Sequence, residues 1–229
     1  MENQFARTKL LIGDIAFDKL ANSHIAVFGI GGVGSYVVEA LARVGIGKLD
    51  LIDNDFVGIT NINRQLIALH STIGKPKVEV AKERILDINP DIKINTYKTF
   101  FSAENSHDFN FSKYNYIIDA IDSIGSKIEL ILKAKELNIP IISSMGTGNK
   151  LHPELFEITD IYKTSVCPLA KKMRTELKKR NIRNLTVVYS KELPIKEKGQ
   201  RMPASISFVP STAGLIIASK VVNDIIKQI

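Results

Sequence analysis

Cysteine and clustered histidine are the features this sequence has least of. Its 229 residues contain one cysteine, Cys167, and four histidines that lie far apart, at His24, His70, His107 and His152. A lone cysteine excludes an internal disulfide and a multi-cysteine zinc site. Histidines scattered in this way do not have the spacing of metal ligands. We therefore expect neither a disulfide-stabilised protein nor a zinc protein.

Long hydrophobic runs are also scarce. We expect no apolar run long enough to cross a bilayer, and residues 1–14 lack the apolar stretch and cleavage site of a signal peptide. Hydrophobic residues make up 45% and charged residues 24% of the chain, which is typical of a soluble globular protein. The expectation is a single domain over residues 1–229, located in the cytoplasm and without a membrane partner.

Acidic residues are scarce in one part of the chain. Residues 163–201 hold twelve lysines or arginines against Glu176, Glu192 and Glu197. The net charge of the whole chain is +7, so the chain outside this segment is slightly acidic. A localised basic surface suits a polyanion such as RNA, and a solvated lysine-rich helix explains the same composition equally well. Charge alone leaves both interpretations open.

Short apolar runs alternate with helical patterns along the first two thirds of the chain. The predicted strands are 24–30, 48–52, 92–99, 114–121 and 139–143, and the predicted helices are 33–44, 76–88 and 126–137. This order predicts an α/β fold: a Rossmann-like, mostly parallel sheet with helices on both faces. The nucleotide-binding core of the domain is expected over about residues 10–148.

A basic C-terminal extension over about residues 149–229 follows that core. We predict that it adds a helix at 168–180, strands at 185–190 and 205–209, and a terminal helix at 212–229. Residues 191–203 contain Gly199 and two prolines, so we expect an exposed loop there.

A glycine-rich turn follows the first predicted strand. Gly29, Gly31, Gly32 and Gly34 lie between that strand and the first predicted helix. Glycine lets the backbone approach a phosphate closely, and a helix N-terminus adds free N–H groups and a partial positive charge. Asp53 ends the next strand, where a carboxylate can accept hydrogen bonds from ribose hydroxyls. The pattern predicts a nucleotide site without saying whether the nucleotide is a nicotinamide dinucleotide or ATP.

The polar loop after the second strand favours ATP. Its candidate binding residues are Asp53, Asp55, Asn61, Arg64 and Gln65. Hydride transfer needs few polar groups around the phosphates, whereas attack on a phosphoryl group needs cations and donors aimed at developing negative charge. Lys77, at the start of a helix, can reach the same anion. Asp122 follows strand 114–121 at the sheet edge where ligands bind, and a carboxylate there is a candidate magnesium ligand.

Four motifs carry a resemblance to a known family. They are GIGGVGS (29–35), LIDNDFVGITNINRQ (51–65), GKPKVEVAKERILDINP (74–90) and DAIDS (119–123). Over residues 7–148 the sequence resembles the ubiquitin-activating-enzyme-like adenylyltransferases, the ThiF/MoeB/HesA superfamily. The resemblance implies that the glycine turn binds ATP and that Asp53 holds the ribose. It also implies that Asn61, Arg64 and Lys77 contact phosphate, and that Asp122 is the catalytic aspartate associated with magnesium.

The resemblance also bears on assembly and on substrate. Arg7 matches an arginine that reaches into the partner subunit's site, which implies a homodimer; an ordinary exposed charge is the alternative. The family's usual Asp-Asn pair is Asp122-Ser123 here, its usual downstream arginine is Lys127, and the paired CxxC motifs of many members are missing. These departures leave ATP binding in place and weaken the case for a ubiquitin-like protein substrate.

The C-terminal motifs narrow the resemblance to one branch. TSVCPLAKKMRTELKKR (164–180), LTVVYSKE (185–192) and SISFVPSTAGLIIA (205–218) resemble the branch that cyclises threonylcarbamoyladenosine in tRNA. That branch implies adenylation of the threonyl carboxylate by ATP, followed by attack of a nitrogen of the same modified base. An intramolecular nucleophile has a high effective concentration, so no enzyme thiol is required. The basic segment 163–201 is then a surface for tRNA phosphates.

Three alternative functions stay open. An activator of a ubiquitin-like sulfur carrier predicts a functional Cys167, which precedes a basic helix that favours a thiolate. The simpler interpretation of Cys167 is a small, partly buried residue without chemistry. A nicotinamide-dependent oxidoreductase predicts NAD binding without magnesium, and a catalytically silent module predicts ATP binding without AMP release. It also stays open whether a monovalent cation is a further cofactor and whether a sulfur-trafficking protein is a partner.

Overall fold

The structure, a computed structural model, describes residues 3–195 and 202–227. Seven strands form one sheet in the order β3-β2-β1-β4-β5-β7-β6. The strands are β1 (His24–Phe28), β2 (Lys48–Ile52), β3 (Lys93–Tyr97), β4 (Tyr116–Asp119), β5 (Ile141–Ser144), β6 (Phe156–Asp160) and β7 (Thr186–Ser190). Every neighbouring pair is parallel except β6 and β7, which are antiparallel. The predicted mostly parallel sheet is confirmed.

Helices cover both faces of this sheet. They are α1 (Ala6–Ile12), α2 (Asp14–Ala21), α3 (Gly34–Val44), α4 (Lys77–Ile88), α5 (Ile124–Glu136), α6 (Pro168–Lys179) and α7 (Phe208–Lys227). Side chains alternate along the central strands, so that Ile25 and Val27 of β1 face the core under α3, α4 and α7. Ala26 and Phe28 of the same strand face the second core, under α5 and α6. This alternation is the period-two pattern expected of a sheet buried on both faces.

The predicted strand at 205–209 is wrong. Phe208 already begins α7, four residues before the predicted helix start. Pro210 is compatible with this position because the N–H groups of a first helical turn have no partner within the helix. The hydroxyl of Thr212 donates to the carbonyl of Phe208 and closes that turn. Periodicity cannot separate a strand from a buried helix over so short an apolar run.

Three elements are present that the sequence pattern did not predict. The helices α1 and α2 precede the sheet, and no residue of α1 is buried in the chain. Strand β6 lies at the edge of the sheet and pairs only with β7 among the described strands. Its sequence, FEITD, carries two acidic residues, so it lacks the apolar run by which the central strands were recognised.

The segment predicted as an exposed loop, 191–203, is partly buried. Glu192 is 8% exposed, and its carboxylate accepts hydrogen bonds from the backbone N–H groups of Leu151 and His152. The buried ammonium of Lys150 donates to the carbonyl of Glu192. These contacts fasten the start of the segment, just after β7, to residues 150–152 between β5 and β6. Residues 196–201 of the predicted loop lie outside the described residues.

Helix α7 contradicts the expectation that no apolar run is long enough to cross a bilayer. With 20 residues and a mean hydropathy of 1.3, it is long and apolar enough to cross a membrane by length and composition. The same test is passed by helices that pack inside a protein core. Here α7 packs along α3, and Val209, Ala213, Ile217 and Val221 are fully buried against the core.

Candidate active site

The glycine turn joins β1 to α3, and two of its glycines are needed for backbone packing. Gly29 has φ +90°, and a Cβ there would lie 2.6 Å from the carbonyl oxygen of Ala120. A Cβ on Gly34 would lie 1.8 Å from the carbonyl oxygen of Gly29. Both positions therefore exclude any side chain. The turn is held against the end of β4 by this close approach.

Asp53 fixes the turn from the neighbouring strand. Its Oδ2 accepts a hydrogen bond from the N–H of Ile30 at 2.6 Å, and its Oδ1 accepts one from the N–H of Asp55 at 2.8 Å. An ionised carboxylate has about four lone-pair sites, so acceptor capacity is left for ribose hydroxyls. Asp53 thus connects the glycine turn to the loop after β2, which carries most of the predicted phosphate-binding residues.

A pocket of about 430 Å³ opens at the carboxyl ends of β1, β2 and β4. Ten predicted site residues line it: Gly29, Gly31, Gly32, Asp53, Asp55, Asn61, Arg64, Gln65, Lys77 and Asp122. Residues that the sequence argument missed also line it, namely Phe28, Thr99, Phe100, Phe101, Thr147, Ser205 and Pro210. Thr99, Phe100 and Phe101 follow β3, so the rule that ligands bind at the carboxyl ends of strands would have identified them.

The predicted cations have protein partners in the pocket. The Nζ of Lys77, the first residue of α4, lies 2.7 Å from Oδ2 of Asp55. The side chain of Lys77 is 6% exposed, whereas that of Asp55 is 59% exposed. The guanidinium of Arg64 donates to the carbonyl of Thr60 and to Oδ1 of Asn63. Asp55 therefore sets the position of the Lys77 ammonium that an anion in the pocket would contact, and Asp55 itself remains open to solvent.

Two amide side chains complete this wall. Asn61 accepts a hydrogen bond from the N–H of Gly58 through Oδ1, which leaves its NH₂ group as the available donor. Gln65 is 6% exposed, and its Oε1 is buried without a hydrogen-bond partner among the described residues. Buried polar atoms in native proteins nearly always find a partner. The Gln65 oxygen therefore fits a pocket that a polar ligand completes.

Asp122 lies at the pocket beyond the end of β4, in a loop supported from beneath. Asp119, the last residue of β4, accepts a hydrogen bond from the N–H of Ile121 at 3.1 Å. Its Oδ2 lies 3.0 Å from Nζ of Lys127, and both side chains are fully buried. Ser143 adds a hydroxyl to the same carboxylate. Lys127 is therefore an internal support of this loop, and Asp122 itself is exposed.

Asp122 shares the pocket lining with two other carboxylates, Asp53 and Asp55. Within residues 3–195 and 202–227, no group of three or more His, Cys, Asp or Glu side chains could hold a metal ion. Magnesium in nucleotide sites is commonly bound by one or two carboxylates together with phosphate oxygens. The residues present fit that arrangement and do not fit an all-protein metal cage.

Three of the singled-out residues lie outside the pocket lining. Gly34 is in the first turn of α3 and serves packing. Arg7 is exposed on α1 and is not among the lining residues. Cys167 is 3% exposed and caps α6, with Sγ accepting from the N–H of Ala170 at 3.5 Å. These contacts favour the structural interpretation of Cys167.

The glycine turn, the polar loop after β2 and Asp122 at the sheet edge together define a nucleotide-binding α/β protein. The model of the ThiF family matches residues 5–228, and the chain belongs to that family. A Bacillus subtilis relative, a tRNA threonylcarbamoyladenosine dehydratase, is 45% identical over 100% of this chain and 97% of its own length. A Haemophilus influenzae protein of the same name is 46% identical over 78% of this chain and 68% of its own length.

Solved structures agree with this assignment. The crystal structure of the E. coli tRNA N6-threonylcarbamoyladenosine dehydratase TcdA in complex with ATP superimposes with a TM-score of 0.91. It is 36% identical to this sequence and the match covers 97% of this chain and 93% of that chain. A structure of the same E. coli protein in complex with AMP gives the same values.

Proposed function

We propose that this protein is an ATP-dependent dehydratase of threonylcarbamoyladenosine in tRNA. The observation that carries the proposal is the pocket itself, where a phosphate-binding turn faces Arg64, Lys77 and Asp122. The relationship to dehydratases over the full length of the chain supports the choice of substrate. The missing CxxC pairs and the buried Cys167 agree with a reaction that needs no protein thioester.

The chemistry follows from the poor leaving ability of a carboxylate oxygen. The threonyl carboxylate attacks the α-phosphorus of ATP, a new O–P bond forms, and pyrophosphate leaves. A nitrogen of the same modified base then attacks the activated carbonyl carbon and loses its proton, and the C–O bond to AMP breaks. One water is thereby removed from the nucleoside, with its oxygen carried away on AMP. The second step gains from the proximity of its two reacting groups.

The protein's own part is to hold charge in place. Arg64 and Lys77 stabilise the negative charge that develops on the phosphates, and Asn61 donates its amide. Asp53 accepts from the ribose hydroxyls. Asp55 keeps the Lys77 ammonium at the pocket wall in the absence of a nucleotide. Asp122 would hold magnesium together with the nucleotide, and the bound ion would supply further charge neutralisation.

The tRNA is expected to bind on the basic surface around α6. Five exposed cations there are Lys163, Lys171, Lys172, Lys178 and Arg183. None of them forms an ion pair with an acidic residue of the described chain, in contrast to Lys179 and Arg180, which pair with Glu176. Lysines and arginines without acidic partners are available to phosphates. Since ATP and tRNA are the proposed substrates, we place the reaction in the cytoplasm.

A homodimer is the second part of the proposal. Leu10, Leu11 and Ile15 at the N-terminal helices are 87%, 86% and 81% exposed, which is a costly arrangement for an isolated chain. Pairing of two copies over this surface would cover them and would carry Arg7 of each copy towards the other's pocket. A dimer of this kind is isologous, so both sites are completed in the same way.

A mixing experiment tests the shared site. Arg7→Ala and Lys77→Met each inactivate the enzyme alone, because each removes a cation from every site. In a mixed dimer, one site receives intact Arg7 and intact Lys77, so re-association of the two variants restores up to about a quarter of the activity. If Arg7 acts within its own chain, mixing restores nothing.

The function itself is tested by AMP release. The wild-type protein with ATP and magnesium releases AMP when given tRNA that carries threonylcarbamoyladenosine and does not when given tRNA without the modification. Lys77→Met lowers the rate at least about 100-fold, the cost of losing a transition-state cation. The matched control is Lys75→Met, an exposed lysine two residues earlier that does not line the pocket. Equal loss in both variants, or AMP release without tRNA, contradicts the proposal.

Two additions are tested in the same assay. Replacing sodium by potassium salts at constant ionic strength shows whether a monovalent cation takes part. Adding a sulfur-trafficking protein shows whether such a partner changes the rate.

A further inference from the structure

A second concave surface lies at the far end of α6 from the ATP pocket. It has a volume of about 370 Å³ and is lined by Tyr162, Lys178, Asn181, Ile182 and Arg183. We refer to these five residues as the Tyr162 notch. None of them lines the pocket described above. The ring of Tyr162 is partly open to solvent, with 37% of the residue exposed.

The notch is fixed by backbone hydrogen bonds. Helix α6 ends in a Schellman-type cap, in which the N–H of Ile182 donates to the carbonyl of Leu177 and the N–H of Asn181 donates to that of Lys178. Asn181 has φ +58°, a left-handed conformation that asparagine accepts at this position. The hydroxyl of Tyr162 donates to the carbonyl of Ile182 and holds the ring beside the cap. The lining is therefore preorganised.

The chemistry of the lining fits a nucleotide. An exposed aromatic ring offers a stacking surface for a base, and Ile182 adds an apolar wall. Lys178 and Arg183 stand beside the ring without an acidic partner in the described chain. The nearby carboxylate of Asp160 is already engaged by the N–H groups of Tyr162 and Leu185. An aromatic ring and cations on one concave surface are the combination that proteins use for single-stranded nucleic acid.

The direction of α6 connects the notch to the ATP pocket. A Cβ on Gly146 would lie 3.8 Å from Sγ of Cys167, so the start of α6 is next to Thr147, which lines the pocket. The helix has 12 residues and therefore spans about 18 Å. Lys171 and Lys178, seven residues apart, lie on one side of it. One RNA molecule can therefore reach both places along a row of cations.

We propose that the Tyr162 notch binds an unpaired nucleotide of the tRNA substrate, with the base stacked on Tyr162 and the phosphate held by Lys178 and Arg183. The choice of RNA as the ligand rests on the proposed function. An acidic protein is the other class of macromolecule that a basic surface attracts, but its recognition does not need the exposed ring of Tyr162 beside the cations.

The test measures binding directly, with fluorescently labelled tRNA transcript and anisotropy. Tyr162→Leu keeps an apolar side chain and removes the aromatic face, so it weakens binding about 5- to 150-fold, the range for loss of one stacked base. Tyr162→Phe keeps the ring and loses only the hydroxyl contact, so it restores affinity to within about twofold of wild type. A role confined to holding the α6 cap through the hydroxyl predicts that both variants weaken binding alike, because both lose that donor.

The charged residues have their own controls. Lys178→Gln and Arg183→Gln each reduce the slope of log affinity against log salt by about 0.7, as for loss of one phosphate contact to a single strand. Lys93→Gln changes an exposed lysine on β3, at the opposite edge of the sheet, and leaves affinity and slope unchanged. In steady-state assays the notch variants raise KM for tRNA while kcat and ATP affinity stay at wild-type values.

The outcomes separate the two proposals. Equal tRNA affinity of wild type and Tyr162→Leu overturns the notch, even if AMP release proves the dehydratase activity. Competition by poly-glutamate as strong as that by unlabelled tRNA also overturns the notch proposal, because the surface then recognises only negative charge. Absence of tRNA-dependent AMP release in the wild type overturns the proposed function, while the Leu and Phe variants still decide the notch by binding.

Discussion

Lys127 and Asp119 form an ion pair from which solvent is excluded on both sides. The Nζ of Lys127 lies 3.0 Å from Oδ2 of Asp119, and both side chains are 0% exposed. The ammonium also donates to the carbonyl of Ser144 at 2.8 Å and to the hydroxyl of Ser143 at 3.2 Å. The pair therefore joins β4, β5 and α5 directly beneath the loop that carries Asp122. A buried charge is tolerable only with such a complete set of partners.

The first prediction concerns this pair. Lys127→Met leaves the Asp119 carboxylate buried and unpaired, so the free energy of unfolding falls by about 3–5 kcal/mol. Urea titration followed by circular dichroism measures the loss. The double variant Asp119→Asn with Lys127→Met removes both charges and recovers part of it. A double variant less stable than Lys127→Met would show that the pair is not the source of the effect.

The second prediction distinguishes two glycines of the same turn. Gly34→Ala forces a Cβ to within 1.8 Å of the carbonyl oxygen of Gly29, so we expect a loss of about 3 kcal/mol or more and weak ATP binding. Gly31→Ala meets nothing closer than the Gln65 side chain at 3.8 Å and keeps wild-type stability within about 0.5 kcal/mol. Thermal unfolding with and without ATP compares them, and equal destabilisation of the two variants would contradict the packing account.

Asp50 is a second fully buried carboxylate, away from the nucleotide pocket. It accepts hydrogen bonds from five side chains: His24 at 2.7 Å, Asn95 at 2.7 Å, Tyr114 at 2.8 Å and Tyr97 at 3.2 Å, with Lys113 at 2.7 Å as its ion-pair partner. Burial alone would raise the pKa of this carboxyl. The hydrogen bonds, led by those from His24 and Lys113, outweigh burial and hold the pKa well below its usual 3.8.

The third prediction follows from that lowered pKa. Stability from the ionised carboxylate is present above pH 3.8 and is lost as the pH falls towards the lowered pKa of the folded state. Asp50→Asn is therefore less stable than wild type by about 3 kcal/mol at pH 7. Below pH 3.8 the difference shrinks by about 1.4 kcal/mol per pH unit. Urea unfolding at pH 7, 5 and 3 measures it; a difference that stays constant down to pH 3 would argue against an ionised Asp50.

The fourth prediction concerns Cys167. Cys167→Ala removes the Sγ acceptor at the start of α6 and costs about 1 kcal/mol or less. We expect AMP release to stay above about half of the wild-type rate, because the proposed nucleophile belongs to the substrate. Cys167→Ser supplies a better capping oxygen and regains the stability. If both variants fold well and neither turns over, a thioester is required and the sulfur-carrier alternative gains support.

Most of the sheet and most of the predicted site residues in the pocket could be predicted from the sequence. Strand β2 has the predicted bounds, 48–52. Strands β1, β3, β4 and β7 lie inside their predicted ranges, and β5 extends one residue beyond its range, because short apolar runs flanked by polar turns mark buried strands. The ten lining residues were predicted together because carboxyl ends of parallel strands meet at one edge. That argument requires only strand order and direction.

Other features depend on contacts that a local pattern does not contain. Strand β6 is recognisable only through its pairing with β7, since its own sequence is half polar. The exposed helix α1 has no buried face by which periodicity could find it. The sequence placed Asp55 and Lys77 at one site, but only the fold shows that they pair with each other. The Tyr162 notch likewise joins residues from two segments that the fold brings together, at the cap of α6.

The most direct test of the account is the mass of the modified nucleoside after reaction. Modified tRNA is incubated with the wild-type protein, ATP and magnesium, then digested to nucleosides and analysed by mass spectrometry. The account predicts that threonylcarbamoyladenosine loses one water, with AMP formed in equal amount, and that Asp122→Asn folds normally but forms neither product. Unchanged nucleoside mass with the wild-type protein, or full product formation by Asp122→Asn, would contradict it.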